Sequence, residues 1–149
     1  MKFTTKMEAN FDSERFLKYH KIDYSTALSE IRNGRKTSHW IWFIFPQLKG
    51  LGHSAFAEYF GLEGLKDATA FYGNDTLRKH LREITEALLC LNEANISNVM
   101  SDIDVLKLRS SMTLFDIVSP DDIFGKVLDK YYDGVRDNLT LEMISYSSK

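Results

Sequence analysis

His39-Trp40-Ile41-Trp42-Phe43-Ile44-Phe45, closed by Pro46, is the stretch that decides the fold class of this 149-residue chain. It is apolar on every face and rich in aromatic and β-branched side chains, so its periodicity fits a buried strand as readily as a buried helix. A lone strand would leave its backbone N–H and C=O groups without partners, and no second strand-like run offers itself. The segment is therefore expected to be a buried helix.

The flanking sequence is punctuated for helices. Asp12 is an N-cap signal for a helix from Ser13 to about His20, with Phe11 and Phe16 spaced as a hydrophobic staple. A second helix is predicted from Ser25 to Asn33, stopped by Gly34. Short helices are predicted over Ser54 to Phe60 and Leu65 to Tyr72. Asn74 or Asp75 then opens the longest, to about Glu93, with Leu77, Leu81, Ile84, Leu88 and Leu91 on one face. Another covers Asp104 to Val118. Ser119-Pro120-Asp121-Asp122 reads as an N-cap serine, a proline at the first helical position and two carboxylates at the positive dipole end. That helix is expected to run to Asp133 and stop at Gly134, with a last one over Asn138 to Ser145. The expectation is an all-α, compact, single domain over residues 1–149 with about seven or eight helices.

Composition fits a globular chain: 44% hydrophobic and 27% charged, with no biased tract. The net charge of −2 lacks the basic excess that phosphate neutralisation demands, which argues against nucleic acid as a partner. Cys90 is the only cysteine, so no internal disulfide can form. The longest apolar run is far shorter than the roughly 20 residues of a membrane-spanning helix. With no apolar signal segment behind Met1, a cytoplasmic location is expected. The four histidines have no metal-ligand spacing, so neither a metal nor a cofactor is expected. Phosphate-loop, dinucleotide and nucleophile-elbow glycine patterns do not occur.

Two stretches concentrate chemistry-bearing residues. One is Gly34-Arg35-Lys36-Thr37-Ser38-His39-Trp40-Ile41-Trp42-Phe43-Ile44-Phe45-Pro46-Gln47-Leu48, continuing through Gly50-Leu51-Gly52-His53-Ser54. The other is Lys107-Leu108-Arg109-Ser110-Ser111-Met112-Thr113-Leu114-Phe115. Both resemble, at matching spacing, an uncharacterised and mainly bacterial family classed as a domain of unknown function. Some of its members carry the label calpastatin, which we regard as spurious. The resemblance spans nearly the whole chain. It implies an all-helical fold, which supports the helical choice for residues 39–45, and it implies no activity.

In the first stretch, Arg35 and Lys36 beside a helix start capped by Thr37 or Ser38 would suit an anion. Trp40 and Trp42 would stack a planar base, and His39 would serve as general acid/base if the site is catalytic. The competing reading places the aromatics in the core, makes His39 a structural imidazole and leaves Arg35 and Lys36 as solvated cations.

In the second stretch, Val105, Leu108, Met112 and Phe115 form one apolar stripe. Arg109 lies about 40° from Val105, so it is partly desolvated and needs an anion. That anion is either a protein carboxylate, with Asp12, Asp116 and Asp122 as candidates, or a ligand held bidentately. Lys107 lies about 160° from Arg109, which predicts that the two do not share a patch. Cys90 should project away from the apolar stripe, near Glu83 and Glu86. Arg78, Lys79 and Arg82 read as an ordinary solvated face.

The leading expectation is a pocket for a small anionic or phosphate-bearing, nucleotide-like metabolite. Its wall would be residues 35–47, with Arg35, Lys36, Ser38, His39, Trp40, Trp42 and Gln47. Its floor would be residues 107–113, with Lys107, Arg109, Ser110 and Ser111. The alternative is a non-catalytic interaction module that presents Tyr131-Tyr132 or the N-terminal arm to a protein partner.

Overall fold

The computed structural model describes residues 11–147, and the N-terminal arm named above lies outside them. Among the described residues eight α-helices follow one another: α1 (Glu14–Arg32), α2 (Ile41–Ile44), α3 (Ala55–Phe60), α4 (Gly64–Gly73), α5 (Asp75–Cys90), α6 (Asp102–Val118), α7 (Ile123–Tyr132) and α8 (Asn138–Ser147). The fold is all-α. Among these residues no strand forms, and extended pairing is limited to one parallel bridge between Leu48 and Leu62. No helix is long and apolar enough to cross a membrane, again among the described residues.

The two helices expected between Ser13 and Asn33 are one. Phe16, His20, Tyr24, Ala27 and Ile31 are all buried, at spacings of four, four, three and four, which is one continuous helical stripe. The stripe escapes a hydrophobicity reading because its two middle members are a histidine and a tyrosine. The Phe11–Phe16 staple is present, with ring centroids 5.7 Å apart. Gly34 takes φ +76°, the left-handed conformation that ends a helix.

Of residues 39–45 only Ile41–Ile44 form a helical turn, α2, and Trp40 and Phe45 flank it; Trp40, Ile41, Phe43, Ile44 and Phe45 are all buried. A chain of aromatic contacts links the helices. Phe16 meets Phe71 at 5.1 Å, Phe71 meets Phe115 at 5.6 Å, and Phe115 meets Phe124 at 5.9 Å. Helix α6 packs against α2, α4, α7 and α8. Leu108, Ser110, Ser111, Met112, Thr113, Leu114 and Phe115 on it are all buried.

The start of α7 departs from expectation. Helix α7 begins at Ile123 with Asp122 as its cap, not at Ser119. Arg82 grips the Asp122 carboxylate with two hydrogen bonds of 2.8 and 3.1 Å, and Ser119 donates to it at 2.7 Å. Asp121 sits at φ +57°, which no helical turn accommodates. Arg82 is thus no solvated cation. Its hydrogen bonds to Asp122 raise its own pKa, and they hold the Asp122 carboxyl well below the usual carboxylate range. Replacing Arg82 by methionine is expected to cost about 1–2 kcal/mol, a figure reduced because its side chain is partly exposed. Urea denaturation checks this, and an unchanged midpoint would show that the pair contributes nothing.

Candidate functional site

Glu30, at the end of α1, organises the loop that carries most of the residues marked out in the sequence. Its Oε1 accepts the Thr37 and Ser38 amides at 2.9 and 3.0 Å and the Trp40 indole N–H at 2.9 Å. Its Oε2 accepts the Ser38 hydroxyl at 2.5 Å. Desolvation pushes this carboxyl up, but the donors on it win and bring it down to about 2.

Lys36 is as fully engaged. Its Nζ lies 2.8 Å from the Asp104 carboxylate, donates to the Ser38 carbonyl at 2.5 Å, and stands 4.8 Å from the Trp40 ring centroid. Only 5% of its side chain is exposed. Ser38, Trp40 and Lys36 are therefore knotted to one another. Arg35 and His39 are exposed beside them. Trp42 is half-buried against Phe56 at 4.9 Å, and its indole N–H has no partner among the described residues.

A different grouping surrounds a cleft of about 340 Å³ between the loop after Pro46, α6 and the start of α8. It is lined by Gln47, Leu51, Ile103, Leu106, Lys107, Arg109, Ser110, Asp137 and Leu139. Four sequence candidates thus converge: Gln47, Lys107, Arg109 and Ser110. His39, Arg35, Lys36, Ser38, Trp40 and Trp42 are not among the lining residues. Ser111 lies behind the cleft wall, fully buried, with a hydroxyl that has no partner among the described residues.

Lys107 and Arg109 do share this site, against the expectation from their helical angle. Ile103, Leu106, Lys107 and Ser110 lie on one face at spacings of three and four, whereas Arg109 stands on the flank and reaches the rim by its length. The carboxylate nearest the Arg109 guanidinium is Asp137, at a loose 3.9 Å, and is none of the three anticipated. Asp116 is occupied by Arg136 at 3.1 Å, and Asp122 by Arg82. Asp137 also caps α8, accepting from the Thr140 amide at 3.0 Å and hydroxyl at 2.6 Å. The Arg109 Nε is buried without a partner among the described residues.

Gly52 is not itself a lining residue but lies against two of them. A Cβ built there would stand 2.8 Å from the Ala57 Cβ, so a side chain does not fit, and 3.3 and 3.4 Å from Lys107 Nζ and Gln47 Nε2. Lys107 Nζ and Gln47 Nε2 thus lie close to each other, both against Gly52. Gln47 is 8% exposed. Neither its amide nor the Lys107 ammonium has a hydrogen bond or ion pair among the described residues.

Residues 10–144 match the family described as Protein of unknown function (DUF1810). The chain belongs to that family. Among solved structures it is similar to a conserved hypothetical protein of Mycobacterium tuberculosis, at 38% identity and a TM-score of 0.88 over 91% of this chain and 97% of that one. No curated protein matches it. For this DUF1810 member, then, function must be read from its residues.

Sequence reasoning missed Leu51, Ile103, Leu106, Asp137 and Leu139 in the cleft. Exposed aliphatic residues carry no motif, although the Asp137-x-x-Thr140 capping spacing was legible. Of the two surfaces named for the interaction alternative, the N-terminal arm lies outside the described residues and the tyrosine pair is not freely exposed. The Tyr131 and Tyr132 hydroxyls donate to the Leu88 and Val105 carbonyls at 2.6 and 2.7 Å, so both rings are half-buried structural elements. Cys90 does line a second cleft, of about 390 Å³, together with Glu83 and Glu86.

Proposed function

We propose that this DUF1810 member binds a small anionic metabolite in the cleft lined by Gln47, Lys107 and Arg109. The observation that carries the proposal is the convergence of the Lys107 ammonium and the Gln47 amide there with no protein partner among the described residues. Lys107 is only partly buried and the Gln47 amide is not sealed from solvent, so both groups are open to a ligand at no desolvation cost to the fold. The cleft volume falls at the small end of the range for metabolite pockets. Arg109 on the rim, held only loosely by Asp137, adds a second cationic group.

The nucleotide-like part of the expectation rested on Trp40 and Trp42 as stacking surfaces. Neither lines the cleft, and Trp40 is 1% exposed. His39 has no role in this proposal. The natural setting for such a binder is the cytoplasm, consistent with one unpaired cysteine.

Lys107→Met tests the proposal cleanly. Because Lys107 makes no ion pair among the described residues, its loss should change stability by no more than about 0.5 kcal/mol. A thermal-shift screen over carboxylates, sugar phosphates and nucleotides should yield at least one stabilising anion. At 100 times its Kd, that anion would add about 2.7 kcal/mol, or several degrees of Tm. The shift should vanish in Lys107→Met. A shift that survives in Lys107→Met would place the anion elsewhere, and no shift with any anion would remove the proposal.

A further inference from the structure

Resting on that reading of the cleft, we propose that its ligand is a small carboxylic acid with an aliphatic body. The head group follows from charge. Lys107 and Arg109 bring two positive charges to the lining and Asp137 one negative, which leaves a single positive charge uncompensated. Asp137 already stands beside Arg109, so the free cation is Lys107. A carboxylate carries one negative charge, whereas a phosphomonoester carries roughly −1.5 to −2 at neutral pH and would overfill this site. The Gln47 amide beside Lys107 suits the second carboxylate oxygen through its N–H donors.

The body follows from the rim. Ile103, Leu106 and Leu139 are 66%, 58% and 60% exposed, and all three line the same cleft with Leu51. Single exposed aliphatic residues are ordinary, but four around a cationic floor make an apolar mouth that matches an alkyl chain. No aromatic side chain is among the lining residues, so the walls give a planar base nothing to stack on.

The test is calorimetric titration with acetate, hexanoate, octanoate, 1-octanol, inorganic phosphate and AMP, on wild type, Lys107→Met and Leu106→Ser. Affinity should rise about fourfold per added methylene from acetate until the cleft is filled. Octanoate should bind at least tenfold more tightly than 1-octanol, a preference lost in Lys107→Met. Leu106→Ser, at an exposed position, should flatten the dependence on chain length and leave the fold intact. Tighter binding of phosphate or AMP than of octanoate, abolished in Lys107→Met, would overturn the carboxylic-acid inference while the anion cleft stood. Silence from every anion would overturn both. A dimer in sedimentation that dissociates in Leu106→Ser would assign the rim to a second copy and overturn the inference.

Discussion

Glu30→Ala is expected to destabilise the protein by about 3 kcal/mol, because it strips the common acceptor from four donors at once. The Thr37 and Ser38 amides, the Ser38 hydroxyl and the Trp40 indole N–H all end on this one carboxylate. A charge-assisted hydrogen bond contributes about 1.5–3 kcal/mol, but four on one group are far from additive, since water reaches the exposed amides once the carboxylate is gone. Trp40 cannot be rescued in that way: its ring is 1% exposed, so its N–H would be orphaned in the interior. For a chain of this length the loss corresponds to a fall in Tm on the order of 10 °C. Glu30→Gln should fall between wild type and alanine, because a neutral amide retains one acceptor oxygen and turns its own N–H donors towards donors. Urea denaturation of the three proteins measures the series. A Glu30→Ala midpoint equal to that of wild type would mean that the loop after Gly34 is held by Lys36 and Asp104 instead.

The role of Glu30 also shows where sequence reading stops. Arg35, Lys36, Ser38 and Trp40 attracted a ligand reading because cations, hydroxyls and indoles are grouped there without a visible counterpart. The counterparts are Glu30 and Asp104, one on the preceding helix and the other 68 positions downstream of Lys36. Neither has any mark in the sequence that distinguishes it from a solvated carboxylate. The fold was more legible. The caps at Ser54 and Asn74 and the glycine stop at Gly34 stand where local chemistry puts them. The failures came where tertiary partners overrode local signals. Arg82 drew the cap of α7 from Ser119 to Asp122. In the middle of α1, the core-facing positions belong to His20 and Tyr24, which a scale of apolarity scores low. The cleft was half legible: Gln47, Lys107, Arg109 and Ser110 stood inside quoted motifs, but Asp137 did not, and the aliphatic mouth had no signature.

Acidification between pH 6.5 and 4 is expected to remove roughly 3 kcal/mol of stability through His20 alone. Its Nε2 lies 2.7 Å from the Phe43 carbonyl oxygen, so that nitrogen must carry the proton and donate. The neutral ring then offers Nδ1 as an acceptor, 2.9 Å from His80 Nδ1, which must be the donor. Protonating His20 would set two N–H groups against each other unless His80 moved its own proton to Nε2, and would leave a charge in the interior. His20 is 3% exposed; desolvation outweighs the Phe43 hydrogen bond, and with His80 nearby it brings the pKa down from 6.5 to about 4. Tyr24 stacks on His80 at 3.7 Å and turns its hydroxyl to Glu83 at 2.6 Å, with Arg32 beyond, so among the described residues no carboxylate contacts His20 itself. The sign follows from linkage. The unfolded chain takes up a proton near pH 6.5 and the native state does not until about pH 4, so the stability held above 6.5 is lost across that window. His80, lowered chiefly by its own burial, adds to the effect in the same direction. Only below about pH 4.5 do the Glu30 and Asp122 carboxylates join in. Urea midpoints at pH 7.5, 6.0 and 5.0 should fall stepwise in wild type. In His20→Gln, which keeps an N–H for the Phe43 carbonyl but does not titrate, the fall should be much shallower. An NMR titration placing His20 near 6.5, or a wild-type midpoint flat from pH 7.5 to 5.0, would show that the buried pair tolerates the proton.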